Sequence, residues 1–298
     1  MSSEPRPRPV ARGREELRHI ELFPARTPTL APATHTNSYA LGERDVLLVE
    51  PATPYEDEQR DWLAWARGLT SQGRRPIAVA LTHHHSDHVG GADHFARELG
   101  LPLWAHARTA ALLPHLPVAR HLEDGETIVL EGATPQRWRV LHTPGHAVGH
   151  ICLHEESLGV LVVGDMVASV GTILIAPQEG DMIDYLAQLE RLASLEATIA
   201  LPAHGEPISA ENPSMPVSSP TALFRFYIGH RLAREAKVLT ALTGVGPGGA
   251  DLDTLLPVAY ADTPAAIYPI ARLSLESHLL KLERDGRARR GGAGWISA

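Results

Sequence analysis

A single cysteine, Cys152, stands in 298 residues. No intramolecular disulfide can form, and a secreted scaffold held by cross-links is excluded. Cys152 lies in the apolar run Ile151–Leu153, where a small buried hydrophobe is the expected role. No apolar stretch approaches the roughly 20 residues that span a bilayer. Met1–Gly13 is rich in proline and arginine and lacks the apolar segment of a signal peptide. Its prolines, with Glu4, Glu15 and Glu16, also oppose the amphipathic helix of a mitochondrial transit sequence, so a cytoplasmic location is expected. Positive charge is scarce in the main body. Residues 1–217 hold 17 Lys and Arg against 28 Asp and Glu, whereas residues 218–298 hold 10 against 7. A body at −11 argues against tight nucleic-acid binding, since phosphate contacts supply most of that affinity. The last part, at +3, keeps an RNA partner open.

What is present is ordinary globular composition, 44% hydrophobic and 21% charged, with one excess: 17 histidines. In a cysteine-poor chain that excess directs attention to metal ligands. Strand-like runs fall at Arg18–Phe23, Ser38–Leu41, Val46–Glu50 and Ile77–Leu81, with a helix expected over Tyr55–Leu69. Further strands are expected at Thr127–Leu130, Trp138–His142, His150–Glu155 and Gly159–Val163, then a helix over Asp184–Leu195 and a strand at Thr198–Leu201. Interleaved helices and hairpins imply mixed sheets flanked by helices. Residues 206–220 read as a linker from their prolines and serines. Helices over Thr221–Leu242, Leu252–Tyr260 and Ala265–Asp285, followed by strand-like residues near Trp295, have the outline of a winged helix-turn-helix.

The chemistry concentrates in Thr82-His83-His84-His85-Ser86-Asp87-His88-Val89-Gly90-Gly91, directly after the buried run Ile77–Leu81. Residues two apart in extended chain face the same way, so His83 and His85 can share one metal while His84 points elsewhere. Asp87 and His88 lie past a turn and can face a second. A catalytic zinc takes about three protein ligands and a water, so four groups for two metals predict more ligands downstream. His146 (in Thr143-Pro144-Gly145-His146), Asp165 (after Gly159–Val163) and His204 (in Pro202-Ala203-His204-Gly205) each follow a strand, where side chains can converge on one rim of a sheet. Ligand number balances if His83, His85 and His146 hold one metal and Asp87, His88 and His204 the other, with Asp165 bridging. The string alone arises by accident in roughly one such chain in several hundred; three ordered partners at strand ends reduce that further.

These residues resemble the metallo-β-lactamase superfamily. The resemblance implies an α+β fold: a four-layer αββα sandwich with metals at one edge between its sheets. Thr36-Asn37-Ser38-Tyr39, Gly171-Thr172 and Tyr227-Ile228-Gly229-His230-Arg231 with Arg234-Glu235 are similar to a subgroup. It holds the mitochondrial β-lactamase-like endoribonuclease, its bacterial relatives and fungal polyketide thioesterases, whose members append a small winged-helix-like domain. The organisation expected is a flexible extension over 1–16, the metallo-β-lactamase domain over 17–205, the linker over 206–220 and the winged-helix-like domain over 221–298. The cofactors expected are two zinc ions, with manganese or iron as competitors. A hydroxide between the metals is the expected nucleophile, with Asp87 orienting it.

The resemblance makes Asn37, Thr172 and Tyr185 candidates for substrate contact, although Asn37 could equally cap its own turn. Trp62 and Trp65 are expected to form a helix's buried face, and His230, Arg231, Arg234 and Glu235 to make salt bridges along one helix. Three function classes follow. The first is hydrolysis of a small ester, thioester or lactone, which the acidic charge favours. The second is endonucleolytic cleavage of single-stranded RNA. The third is a non-enzymatic metal sensor that binds DNA through its winged helix, which sits poorly with a complete ligand set. A homodimer is compatible with all three.

Overall fold

The computed structural model describes residues 7–10, 14, 17–210, 217, 219–292 and 294–298. Much of the 1–16 extension therefore lies outside the described residues. The chain separates into two compact units, one built from residues 1–143, 149–172 and 195–221 and the other from residues 144–148, 173–194 and 222–298.

The first unit holds two sheets. Seven strands run in spatial order β1 (Arg8–Pro9), β2 (Ile20–Arg26), β3 (His35–Leu41), β4 (Asp45–Val49), β5 (Arg75–Ala80), β6 (Leu103–Ala105) and β7 (Val118–His121). The second sheet follows the order β13 (Ile208–Ser209), β12 (Ile199–Pro202), β11 (Val160–Gly164), β10 (Ile151–Glu155), β9 (Gln136–His142), β8 (Thr127–Leu130). Alternating residues explain how the sheets meet. Leu22, Leu41, Leu47 and Ala80 of the first pack with Ile128, Trp138, Val140, Leu153, Val162 and Leu201 of the second in one core. The opposite face of the first sheet carries Phe23, Ala40, Leu48, Val79 and Leu81, which bury against helices α1 (Glu56–Ser71) and α3 (Ala92–Leu99).

Helix α1 forms because Trp62, Trp65, Ala66 and Leu69 recur at helical spacing on its buried side. Glu56, Asp57 and Glu58 in its first turn complement the helix dipole. The Trp62 ring stacks on Phe95 at 3.9 Å and meets Trp65 edge-on, as expected for a buried face. β4 and β5 run parallel, as do β5 and β6, and β11 and β12. Their C-terminal ends therefore open onto common rims.

In the second unit, α6 (Pro220–Thr243), α7 (Leu252–Ala259), α8 (Tyr268–Arg284) and the hairpin β14 (Ala288–Gly291) and β15 (Gly294–Ser297) enclose their own core. Val238, Leu242, Leu255, Leu275, Leu279, Leu282 and Trp295 fill it. Asp251 caps α7 by accepting from the Thr254 amide at 2.8 Å. The same unit includes α5 (Met182–Ala193) and the loops around it.

Candidate metal centre

Strand β5 ends at Ala80, and the chain passes Leu81 and Thr82 into His83 before α2 (Ser86–Val89) begins. Gly90 and Gly91 follow because a side chain at either would press on the backbone carbonyls of Ala52 and Thr53, and at Gly91 on the Phe95 ring too. This close packing turns Asp87 and His88 back toward His83. Three donor atoms from Glu50, His83 and His88 lie within 4.8 Å of one another, and so do three from Asp87, His88 and His204.

Hydrogen bonds fix the tautomers. Thr82 donates its hydroxyl proton to Glu50 Oε1, so its oxygen must accept from His83 Nδ1 at 2.9 Å. The lone pair of His83 is thus on Nε2, which lies 3.0 Å from His85 Nδ1. His204 Nδ1 donates to the carbonyl of His35 at 3.0 Å, leaving its Nε2 lone pair 3.4 Å from Asp165 Oδ1 and 3.6 Å from Asp87 Oδ2. His88 Nδ1 sits 3.3 Å from Glu50 Oε1, and its Nε2 lies 3.5 Å from Asp165 Oδ2 and 3.7 Å from Asp87 Oδ2.

His88 is fully buried, and neither of its ring nitrogens makes a hydrogen bond among the described residues. Buried nitrogen lone pairs facing carboxylate oxygens at such spacing repel one another unless a cation stands between them. The charge balance agrees. Burial opposes protonation of His88, yet Asp165, Glu50 and Asp87 hold its pKa well above the ordinary imidazole value. His204 is raised against burial by Asp165. Burial would raise Asp165, but His204 and His88 hold it well below the carboxylate range. A site that stabilises positive charge this strongly, with imidazole and carboxylate donors, fits a divalent metal.

Asp165 is aimed from behind. Gly164, at φ +48, lets the His150 ring approach the strand end. There His150 Nε2 accepts the Asp165 amide at 3.1 Å while its Nδ1 pairs with Thr143 Oγ1 at 2.8 Å. The His204 loop is held from β3: Asn37 N donates to Ala203 O at 2.7 Å, and Asn37 Nδ2 to Pro202 O at 2.9 Å and Gly205 O at 2.7 Å. Tyr39 adds its hydroxyl to Pro202 O at 2.7 Å.

His146 stands in the second unit. Its Nδ1 donates to Leu174 O at 2.8 Å, so its lone pair is on Nε2. Tyr185 is there too, its ring fully buried beneath the Arg231 guanidinium at 5.5 Å, whereas Thr172 is exposed. Sequence reasoning overlooked Glu50 and His150. Glu50 ends the apolar run of β4 at φ +61, an unusual conformation for its type. A buried carboxylate beside the strand that delivers the histidines becomes visible only once β4 and β5 are known to pair.

Two sheets whose strand ends deliver imidazoles and carboxylates to one rim define a metallohydrolase architecture, here followed by a winged helix. The chain belongs to the metallo-beta-lactamase superfamily, which residues 31–204 match, and residues 252–295 match the beta-lactamase associated winged helix domain. It is 27% identical over 273 residues to a beta-lactamase-like protein 2 homolog of Drosophila melanogaster, covering 88% of this chain and 87% of that one. A metallo-beta-lactamase family protein from Thermus thermophilus superposes with a TM-score of 0.72 at 25% identity, covering 94% of this chain and 99% of that one. Thioesterase pkgB of Emericella nidulans is 33% identical over 165 residues, which span 55% of this chain and 42% of pkgB. The mixed α+β fold with a C-terminal winged helix, the enzyme class of metal-dependent hydrolase and the capacity to hold a divalent metal all stand. No helix among the described residues is long and apolar enough to cross a membrane.

Proposed function

We propose that this enzyme is a binuclear hydrolase of small thioesters, esters or lactones. In this reading His83, His85 and His146 would hold one zinc and Asp87, His88 and His204 the other, with Asp165 as the remaining carboxylate ligand. The observation that carries it is the convergence of imidazole nitrogens and carboxylate oxygens around the fully buried His88, whose ring nitrogens make no hydrogen bond among the described residues. When bound, such metals lower the pKa of water and polarise the substrate's carbonyl oxygen.

The chain's own residues supply orientation. Asp87, half-buried at the rim, accepts a hydrogen bond from the attacking water and directs its lone pair at the carbonyl carbon. The carbonyl of His35 keeps the His204 ring turned so that Nε2 faces inward, and Glu50 places a carboxylate 3.3 Å from His88 Nδ1. Asn37 and Tyr185 act by holding the loops of His204 and His146, which leaves Thr172 as the candidate for touching substrate. The acyl preference is supported by the −11 charge of residues 1–217 and by the thioesterase name of one relative. A panel of acyl thioesters, esters, lactones and labelled single-stranded RNA, run on zinc-loaded protein, tests it. Chelator-sensitive turnover of a thioester or lactone is expected; cleavage of RNA with no acyl turnover would overturn the acyl assignment.

A further inference from the structure

The second unit, which holds both His146 and the winged helix, raises the question of what that helix does within it. His146 lies on the loop 144–148, and its imidazole is aimed by the carbonyl of Leu174. The two residues flanking Leu174 are gripped from the C-terminal helices. The guanidinium of Arg231, on α6, donates to the carbonyl of Ile173. The hydroxyl of Ser277, on α8, donates to the carbonyl of Ile175 at 2.6 Å. Both side chains are buried. A second route reaches the same loop. Arg231 lies over the Tyr185 ring, and the Tyr185 backbone packs so closely on Gly145 that a Cβ there would collide with it. Gly145, at φ +138, also accepts the Asp181 amide at 2.7 Å through its carbonyl. Asp181 is in turn ion-paired to Arg284 of α8. Arg231 of α6 and Ser277 and Arg284 of α8 thus all contact residues that position this one imidazole.

We propose that the winged-helix part of the chain is a brace for His146, with Arg231 and Ser277 as positioning residues that set the affinity of one metal and leave the other alone. The inference rests on the ligand assignment proposed above. A winged helix that uses its buried polar groups in this way serves the site mechanically, with no nucleic acid required.

The test measures stepwise zinc release to a competing chelator from full-length protein, with thermal unfolding recorded in parallel. His146→Ala identifies which release step belongs to that ligand. Arg231→Met and Ser277→Ala should each weaken this same step about 10-fold, the lower end of the roughly 10–100-fold cost of losing a ligand's own outer partner, because they act through the neighbours of Leu174, while the other step stays at the wild-type value. Arg272→Ala, which breaks an exposed ion pair with Asp253 on the same helix α8, should leave both steps unchanged. Ser277→Ala deletes one hydroxyl and serves should Arg231→Met fail to fold. Wild-type release from folded Ser277→Ala and Arg231→Met would overturn the brace, and so would equal weakening of both steps. If His146→Ala itself keeps both zinc ions at wild-type affinity, the ligand assignment fails and the brace falls with it.

Discussion

His278 offers a direct probe of how the second unit responds to acid. It sits on α8 with no exposed surface, and neither ring nitrogen makes a hydrogen bond among the described residues. Burial, followed by the nearby charges of Arg231, Arg234, Lys281 and His230, pushes its pKa down to about 3 from the ordinary 6.5. The folded chain therefore binds this proton less readily than the unfolded chain. Stability linked to His278 is fully present above pH 6.5 and is lost as pH falls from there toward 3. At pH 5 the loss is about 2 kcal/mol, and at pH 4 about 3 kcal/mol, from the difference between the two pKa values. Replacing His278 with leucine keeps a similar volume at a fully buried position and removes the titration. Urea unfolding of wild type and His278→Leu, followed by fluorescence and compared between pH 8 and pH 4, isolates the contribution because every other acid-sensitive group is common to both. The variant should gain about 2 kcal/mol relative to wild type between pH 8 and pH 5. Stability curves that stay parallel across this range would refute the reasoning.

Two further outcomes concern the first unit. Asn37→Asp exchanges an amide donor for a carboxylate facing the carbonyls of Pro202 and Gly205, so unfolding measurements should show a loss of about 2–4 kcal/mol, the cost of an uncompensated buried charge. Asp165→Ala should reduce the metal count per chain and abolish nearly all turnover, whereas His84→Ala should leave the count unchanged; elemental analysis of protein prepared without chelators checks both.

The part of the site read from sequence is the part written in local pattern. His83, His85, Asp87 and His88 fall within six residues after an apolar strand, and Asp165 and His204 follow strands whose apolar runs were equally plain. Glu50 and His150 were not readable, because their meaning depends on which strands are neighbours. The parallel register that sets Val49 beside Ala80 and the antiparallel pairing of Ile151 with His142 leave no trace within either segment. Strand β7 is not legible in the sequence because Val118–His121 is largely exposed, so it lacks the apolar alternation of a half-buried strand. The tie between residues 173–181 and the C-terminal helices was hidden for another reason. At Ile173 and Ile175 it is made through backbone carbonyls, which every residue carries.

The short strand at Arg8–Pro9 has a consequence for handling the protein. It pairs with Leu22 and Glu21 along the outer margin of the seven-stranded sheet, and the Arg8 guanidinium reaches Glu206, two residues beyond His204. Shortening the chain to begin at Leu17 would unveil the amides and carbonyls of β2 on that side. An unshielded margin of this kind recruits strands from other molecules, so tags and cleavage sites are better placed at the far end of the chain, where Gly294–Ser297 already has a hairpin partner.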